Sequence, residues 1–339
     1  MTTPKRKVLS LRYPGHAGEE YIRDFEAQGY EIYHVDPHPP SERALTIADI
    51  ATQARTNGPF AAAMILMGTP AYEPIDADLL SPLLPHVKLV VSASAGYNEF
   101  DVDWMTRHGI VFCNSRNAVS ESTADMAIYL MLAVLRNASV AERQIREGGW
   151  RGDIAPTRDP SGMVLGIVGM GAIGKHIARK ALAFNMRIAY HNRRQLPPAE
   201  EAALGATYHA SLPSLLAAAD VVSISTPLNA TTTGLIGAPE FAAMKDGAFL
   251  VNTARGAVLD EPAFIAALKS GKICRAGLDV FVDEPNIDGF FRESDQVVVQ
   301  PHMGGLTDVA WQRAFRECME NVKAFFATGK AISPVNVVE

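Results

Sequence analysis

The sequence predicts an α/β protein made of two doubly wound parallel-sheet domains. Strand-like and helix-like segments alternate from the first residues onward, as they do where crossover helices join parallel strands. One complete unit of this alternation passes before any glycine-rich motif appears, and a second begins at Met163. The length of 339 residues suits two domains that each bury a core, and 48% hydrophobic with 20% charged residues is a globular composition.

In the first unit the pattern predicts strands over 8–11, 31–35, 62–67, 89–93 and 110–113, with helices over 19–28, 47–56, 76–80 and 102–107. One long helix is expected from Ser120 to about Glu147, opened by Ser120, Glu121 and Ser122 as capping candidates. Its apolar residues run almost all round near 126–135, which predicts burial on several sides. The Gly- and Pro-rich stretch 148–162 reads as an arm or loop.

The second unit has strand patterns at 164–168, 187–191, 221–225, 248–252, 275–280 and 296–299. Directly after the first of these comes GMGAIG, with Gly169, Gly171 and Gly174 in the G-x-G-x-x-G pattern, opening a helix that runs from Ala172 to about Phe184. The first glycine allows a tight turn, the second lets backbone approach a pyrophosphate, and the third permits close helix–strand packing. The helix N-terminus adds N–H groups for the anion. A final helix is expected over 308–328. We take it to return to the first domain, giving a discontinuous substrate-binding domain of 1–115 and 306–339 around a dinucleotide domain of 116–305, although sequence alone leaves that return open.

Other classes are disfavoured. The formal net charge of -6 gives no nucleic-acid footprint, and the one basic run near a terminus, Lys5 to Lys7, leads straight into a strand. The longest charge-free apolar stretch, 126–135, is far short of a membrane span, and no export signal is visible. Cys113, Cys274 and Cys318 have no ligand-like spacing, so reduced thiols in a cytoplasmic protein without a metal site are expected.

Three segments near the C-terminal end carry reactive groups: NTARG (252–256), DEP (283–285) and PHMGG (301–305). They offer one guanidinium, Arg255, one carboxylate, Glu284, and one imidazole, His302. Moving a hydride and a proton to or from a small 2-oxo acid needs a fixed cation for the carboxylate, an acid/base that works near neutral pH and an anion to orient it.

NTARG, GLDVFVDEP and PHMGG after a G-x-G-x-x-G unit resemble the D-isomer-specific 2-hydroxyacid dehydrogenase family over nearly the whole chain. Glu284 follows Arg255 by 29 residues and His302 follows Glu284 by 18, both within the family's usual range. ASAGYN (93–98) and the stretch 114–136 look most like the fungal branch with D-mandelate dehydrogenases and glyoxylate or hydroxypyruvate reductases. The resemblance implies Rossmann- and flavodoxin-like domains with an active site in the cleft between them. Arg255 would hold the substrate carboxylate and carbonyl, helped by N–H groups at Ala95 and Gly96; apart from the resemblance, we place Met67, Gly68 and Tyr97 on the wall facing the substrate side chain. His302 would protonate the oxygen, and Glu284 would fix the ring's tautomer.

For the cofactor, the resemblance puts the pyrophosphate on Met170, Gly171, Ala172 and Ile173. Thr226 and Pro227 would lie along the dinucleotide, and Thr253, Ala254, Asp279, His302 and Gly304 near the nicotinamide, with Thr123 contributing from the long helix. Where NAD-using relatives carry an acid for the ribose hydroxyls, this chain has Asn192 followed by Arg193 and Arg194. An acid there would repel a 2′-phosphate, whereas two guanidiniums would bind one. The expectation is therefore preference for NADP(H), with NAD(H) possible. A second departure is Asn185, where a glycine is usual.

The expected assembly is a homodimer, through the long helix and the arm after it; Trp150 on that arm either enters a partner's site or simply packs. The rival reading is a dinucleotide-sensing, corepressor-like binding protein without turnover. Formate oxidation is disfavoured because formate-using relatives carry Gln where Glu284 stands.

Overall fold

Several strands are apolar on both faces. AAMI at 62–65, VVSI at 221–224 and AFLVN at 248–252 are buried at every position, the pattern of parallel strands covered by helices on both sides. The computed structural model describes residues 5–67, 74–151 and 154–338. In chain order the elements are β1 (Arg6–Leu11), α1 (Glu19–Ala27), β2 (Tyr30–Val35), α2 (Arg43–Thr56), β3 (Ala62–Ile65), α3 (Ala77–Leu80), β4 (Leu89–Ser92), α4 (Val102–Arg107) and β5 (Val111–Asn114). Two helices follow, α5 (Ser120–Leu135) and α6 (Ala138–Arg146). Then come β6 (Val164–Val168), α7 (Ala172–Leu182), β7 (Arg187–His191), α8 (Pro198–Leu204), β8 (Ala206–Tyr208), α9 (Leu212–Ala218), β9 (Val221–Ile224) and α10 (Ala238–Ala243). The chain closes with β10 (Ala248–Asn252), α11 (Glu261–Lys269), β11 (Ile273–Leu278), α12 (Gly289–Glu293), β12 (Val297–Val299) and α13 (Asp308–Thr328).

Two compact units result, one from the chain up to Val119 together with the chain from Thr307 on, the other from Ser120–Leu306. The first holds a parallel sheet in the order β2-β1-β3-β4-β5. Alternate residues point to opposite faces, and two cores form accordingly. Val8, Met64, Leu89 and Val91 pack with Ala314, Phe315, Met319 and Val322 of α13. Leu9, Ile65, Val90 and Phe112 pack on the other side with Ile50, Leu79 and Met105. The stretch after α13 covers the free edge of β5. Val335 donates its N–H to the Phe112 carbonyl at 2.8 Å, and the Asn336 side-chain oxygen accepts the Phe112 N–H at 2.7 Å.

The second unit has the parallel order β12-β11-β10-β9-β6-β7-β8. Chain order reverses between β6 and β9, the switch point at whose carboxyl-end crevice ligands bind in such sheets. Helix α5 packs into this unit beside α7, with Leu130, Val134, Leu165 and Ile177 in one cluster. Gly277 admits it: a Cβ there would lie 2.7 Å from the Leu130 Cβ.

The single long helix expected over 120–147 is two helices. It stops at Leu135, and the next begins after Asn137, whose φ of 54° is left-handed, at an angle of 69°. Asparagine adopts that conformation at little cost, and α6 buries no residue that would hold it in line. Among the described residues no single helix is long and apolar enough to cross a membrane. Asn185 also has φ 57, so it fills the turn's left-handed position without being glycine.

Candidate active site

The three glycines of the GMGAIG turn stand in different surroundings. Gly169 has φ 102, and a Cβ there would lie 2.7 Å from the Ser225 carbonyl oxygen. Gly174 lies on the first turn of α7 against β6, where a Cβ would come 2.4 Å from the Gly169 carbonyl oxygen. A Cβ on Gly171 would meet nothing within 4 Å. That is the open ground a pyrophosphate would take, in front of a helix N-terminus that no side chain caps.

At the end of β7, the Asn192 side-chain oxygen accepts the Met170 N–H at 2.7 Å, tying this strand end to the glycine turn. Arg193 and Arg194 are exposed, and among the described residues neither makes an ion pair. The hydroxyls of Ser225, Thr226 and Thr253 are buried without a hydrogen-bond partner. Buried polar groups are normally satisfied, so these hydroxyls, the open glycine and the uncapped helix fit a bound dinucleotide. Pro227 follows Thr226, and its carbonyl accepts the Thr232 hydroxyl at 2.6 Å.

Arg255 is placed by the loop after β10. The Asn252 side chain bridges that loop, accepting the Ala254 N–H and donating to the Arg255 carbonyl, each at 3.0 Å. Arg255 in turn donates from Nη1 to the Ala254 carbonyl at 2.8 Å. The next residue could only be glycine: a Cβ on Gly256 would sit 1.9 Å from the Phe281 carbonyl carbon. The arginine loop is thereby pressed against the segment that carries Glu284.

Glu284 accepts the Phe281 N–H at 2.9 Å on one oxygen and faces His302 Nδ1 at 2.7 Å with the other. Burial pushes this carboxyl up, but the His302 ring, the Phe281 N–H and the Arg255 charge outweigh it and hold the group below its ordinary value. An ionised Glu284 can only accept, so the proton between them sits on Nδ1, leaving Nε2 as the working nitrogen.

His302 itself has φ 57, a strained conformation for a non-glycine residue. Asp279, 1% exposed, enforces it. Its carbonyl accepts the His302 N–H at 2.8 Å, and its two carboxylate oxygens accept the N–H groups of Met303 and Gly304 at 2.7 Å each. Burial pushes the Asp279 carboxyl above its usual range despite those donors. Gly304 is needed for the fit, because a Cβ would lie 2.9 Å from Asp279 and 3.2 Å from Thr123 Cγ2.

In the other unit Met67 follows β3, and Ala95 and Gly96 follow the neighbouring strand β4. Asn114, buried at the end of β5, donates to the Ala95 carbonyl at 2.6 Å. A trans peptide points its N–H opposite its carbonyl, so this bond also sets the direction of the Gly96 N–H. The sequence carried no signal for Asn114 or Asn252 in these positioning roles. Tyr97 is 38% exposed and meets Phe112 edge-on, while Gly68 lies outside the described residues.

Residues 128–304 match the family model described as D-isomer specific 2-hydroxyacid dehydrogenase, NAD binding domain. The chain is 55% identical over 338 residues to dehydrogenase efuE of Hormonema carpetanum, covering all of this chain and 84% of that protein. Among solved structures, the holo form of Rhodotorula graminis D-mandelate dehydrogenase superposes with a TM-score of 0.90 at 34% identity, covering 99% of both chains. A glyoxylate reductase from Paecilomyes thermophila superposes with a TM-score of 0.87 at 34% identity, covering 98% of this chain and 99% of that one.

Proposed function

The chain belongs to the D-isomer specific 2-hydroxyacid dehydrogenase family, and from that premise we propose that it is an NADP(H)-preferring reductase of small or aromatic 2-oxo acids. It is an NAD(P)-dependent oxidoreductase that interconverts 2-hydroxy and 2-oxo acids. The observation that carries the mechanism is the 2.7 Å pair between His302 Nδ1 and Glu284.

A bound nicotinamide supplies the hydride. Arg255 binds the substrate carboxylate and steadies the carbonyl oxygen, since a guanidinium makes two parallel hydrogen bonds to such a group. The N–H groups of Ala95 and Gly96, in the first unit, are assigned to substrate binding. His302, protonated on both nitrogens, delivers the Nε2 proton to the carbonyl oxygen as the carbon is reduced, and Glu284 stabilises the doubly protonated ring before transfer. In the oxidative direction neutral Nε2 takes the hydroxyl proton. We assign dinucleotide binding to the second unit, which also carries Arg255, Glu284 and His302, and further substrate contacts to the first. Thr226 and Thr253, whose hydroxyls are buried without a partner, would help hold the cofactor, together with Thr123, Pro227, Ala254, Asp279 and Gly304.

The NADP(H) preference rests on Asn192, Arg193 and Arg194. The Asn192 side-chain oxygen is already taken by Met170, no carboxylate stands at the strand end, and two exposed guanidiniums follow. Charge-assisted bonds to a 2′-phosphate are worth ~1.5–3 kcal/mol each, so kcat/KM should favour NADPH over NADH by at least ~10-fold. Steady-state rates with both cofactors across glyoxylate, hydroxypyruvate, phenylpyruvate and benzoylformate test cofactor and substrate together. Equal efficiency with the two cofactors, or an unchanged ratio in Arg193→Ala/Arg194→Ala, would overturn the preference. The homodimer is proposed on Tyr129, Ile145 and Trp150, which are 51%, 54% and 73% exposed and lie in the stretch that resembles the family's dimerisation region.

A further inference from the structure

The loop that bears Arg193 and Arg194 is fastened at both ends, and its fastenings are two tyrosine hydroxyls. Tyr190, on β7, is fully buried, and its ring lies 5.3 Å from that of Tyr208 on the edge strand β8. The Tyr208 hydroxyl donates to the Asn192 carbonyl at 3.2 Å, holding the loop where it leaves β7. The Tyr190 hydroxyl accepts the Leu196 N–H at 2.9 Å, holding the loop where it enters α8, and donates to Glu201 at 2.5 Å. Between these two anchors stand the two arginines. Each anchor acts on a main-chain group, so the backbone that carries the guanidiniums is fixed.

The same contacts manage the local charge. Glu200 and Glu201, on the first turn of α8, are the acids of the segment that follows the arginines. Glu200 pairs with Lys175 of α7. Glu201 is taken by the Tyr190 hydroxyl and by the Gln195 side-chain amide, at 3.1 and 3.0 Å on its two oxygens. Burial and the Glu201 contact push the Tyr190 hydroxyl up to about 12, so it stays a donor at any working pH. Both carboxylates are thus occupied by groups other than Arg193 and Arg194, whose charge stays available to an anion.

We propose that Tyr190 and Tyr208 are positioning residues for recognition of the cofactor's 2′-phosphate, holding the Arg193–Arg194 turn in place and, through Tyr190, keeping Glu201 off it. The idea rests on the NADP(H) reading above and adds to it. A preorganised turn loses less freedom when it closes on a phosphate than a loose one does. Freeing Glu201 would set a carboxylate in competition with that phosphate.

The test is calorimetric titration of adenosine 2′,5′-bisphosphate and of 5′-AMP into the parent, Tyr190→Phe, Tyr208→Phe and Arg193→Ala/Arg194→Ala proteins, with melting temperatures alongside. Each Phe variant should weaken the bisphosphate by ~3- to 10-fold, a loss on the scale of one preorganising contact, while 5′-AMP changes much less. A Phe variant that melts lower yet keeps the parental ratio of the two affinities has a merely structural tyrosine, and the proposal fails. If the double arginine variant loses the ratio and the Phe variants keep it, the NADP(H) reading stands and this inference alone falls. If the parent itself shows no preference for the bisphosphate, both fall.

Discussion

Before any substrate arrives, His302 is committed at both its backbone and its ring: the main chain is held left-handed by Asp279 and Nδ1 is held by Glu284. That leaves one nitrogen for chemistry, so His302→Ala should lower kcat by ~10² to 10⁴ while NADPH affinity, read by fluorescence titration, stays nearly intact. A variant retaining more than about a tenth of parental kcat would remove the assigned role. Glu284→Gln should act more mildly. Without the anion that orients the ring, kcat for reduction should fall by less than in His302→Ala, as steady-state rates would record. Stability gives an independent reading. Because the Glu284 carboxyl is held below its ordinary value, its contribution is present above the unfolded value of about 4.3 and is lost as pH falls through the folded one. The gap in Tm between parent and Glu284→Gln should therefore close on acidification from about pH 5 to pH 3, and a gap that widens would contradict the assignment.

At the scale of elements, the glycines of the dinucleotide turn separate fold from binding. Gly174→Ala drives a methyl to within 2.4 Å of the Gly169 carbonyl oxygen and must lift α7 off β6, costing about 1–3 kcal/mol by overpacking. Gly171→Ala meets no protein atom, so its Tm should stay near the parent's while dinucleotide affinity falls. Thermal melts and cofactor titrations on the two variants distinguish these outcomes, and a Gly171→Ala protein with parental affinity would count against the pyrophosphate's place. Elements were legible wherever a buried strand gave an unbroken apolar run. They were less so in the second unit, where β8 has three residues and α8, α9, α10 and α11 are six to nine residues long with a proline in the first turn. A proline reads as a breaker in sequence, yet at a helix start its missing N–H costs nothing. The break after Leu135 was invisible for a related reason: a single asparagine in a left-handed conformation leaves no trace in hydrophobic period.

For the molecule as a whole, the reaction class was legible because three short segments keep fixed spacing. What positions the groups around them was not: Asn114 acts on the Ala95 carbonyl, 19 residues away in sequence, and Tyr190 on the Leu196 N–H, contacts that leave no mark in residue spacing. Assembly is the remaining whole-molecule question. Light scattering at micromolar concentration should give twice the 36.6 kDa chain mass, and Ile145→Ser/Trp150→Ala should shift it toward one copy. A parent protein at monomer mass would set the proposed homodimer aside.

The place of α13 bears on how the protein is made. Phe315, Met319 and Val322, from the end of the chain, complete a core whose other walls, Val8, Met64 and Leu89, are translated first. Ser120–Leu306, by contrast, is one uninterrupted stretch. On the ribosome the usual order of N-terminal part first is therefore inverted. The opening segment emerges with one face of its sheet covered only in part, by Ile22 and Phe25 of α1, and that core is complete only once α13 has been made.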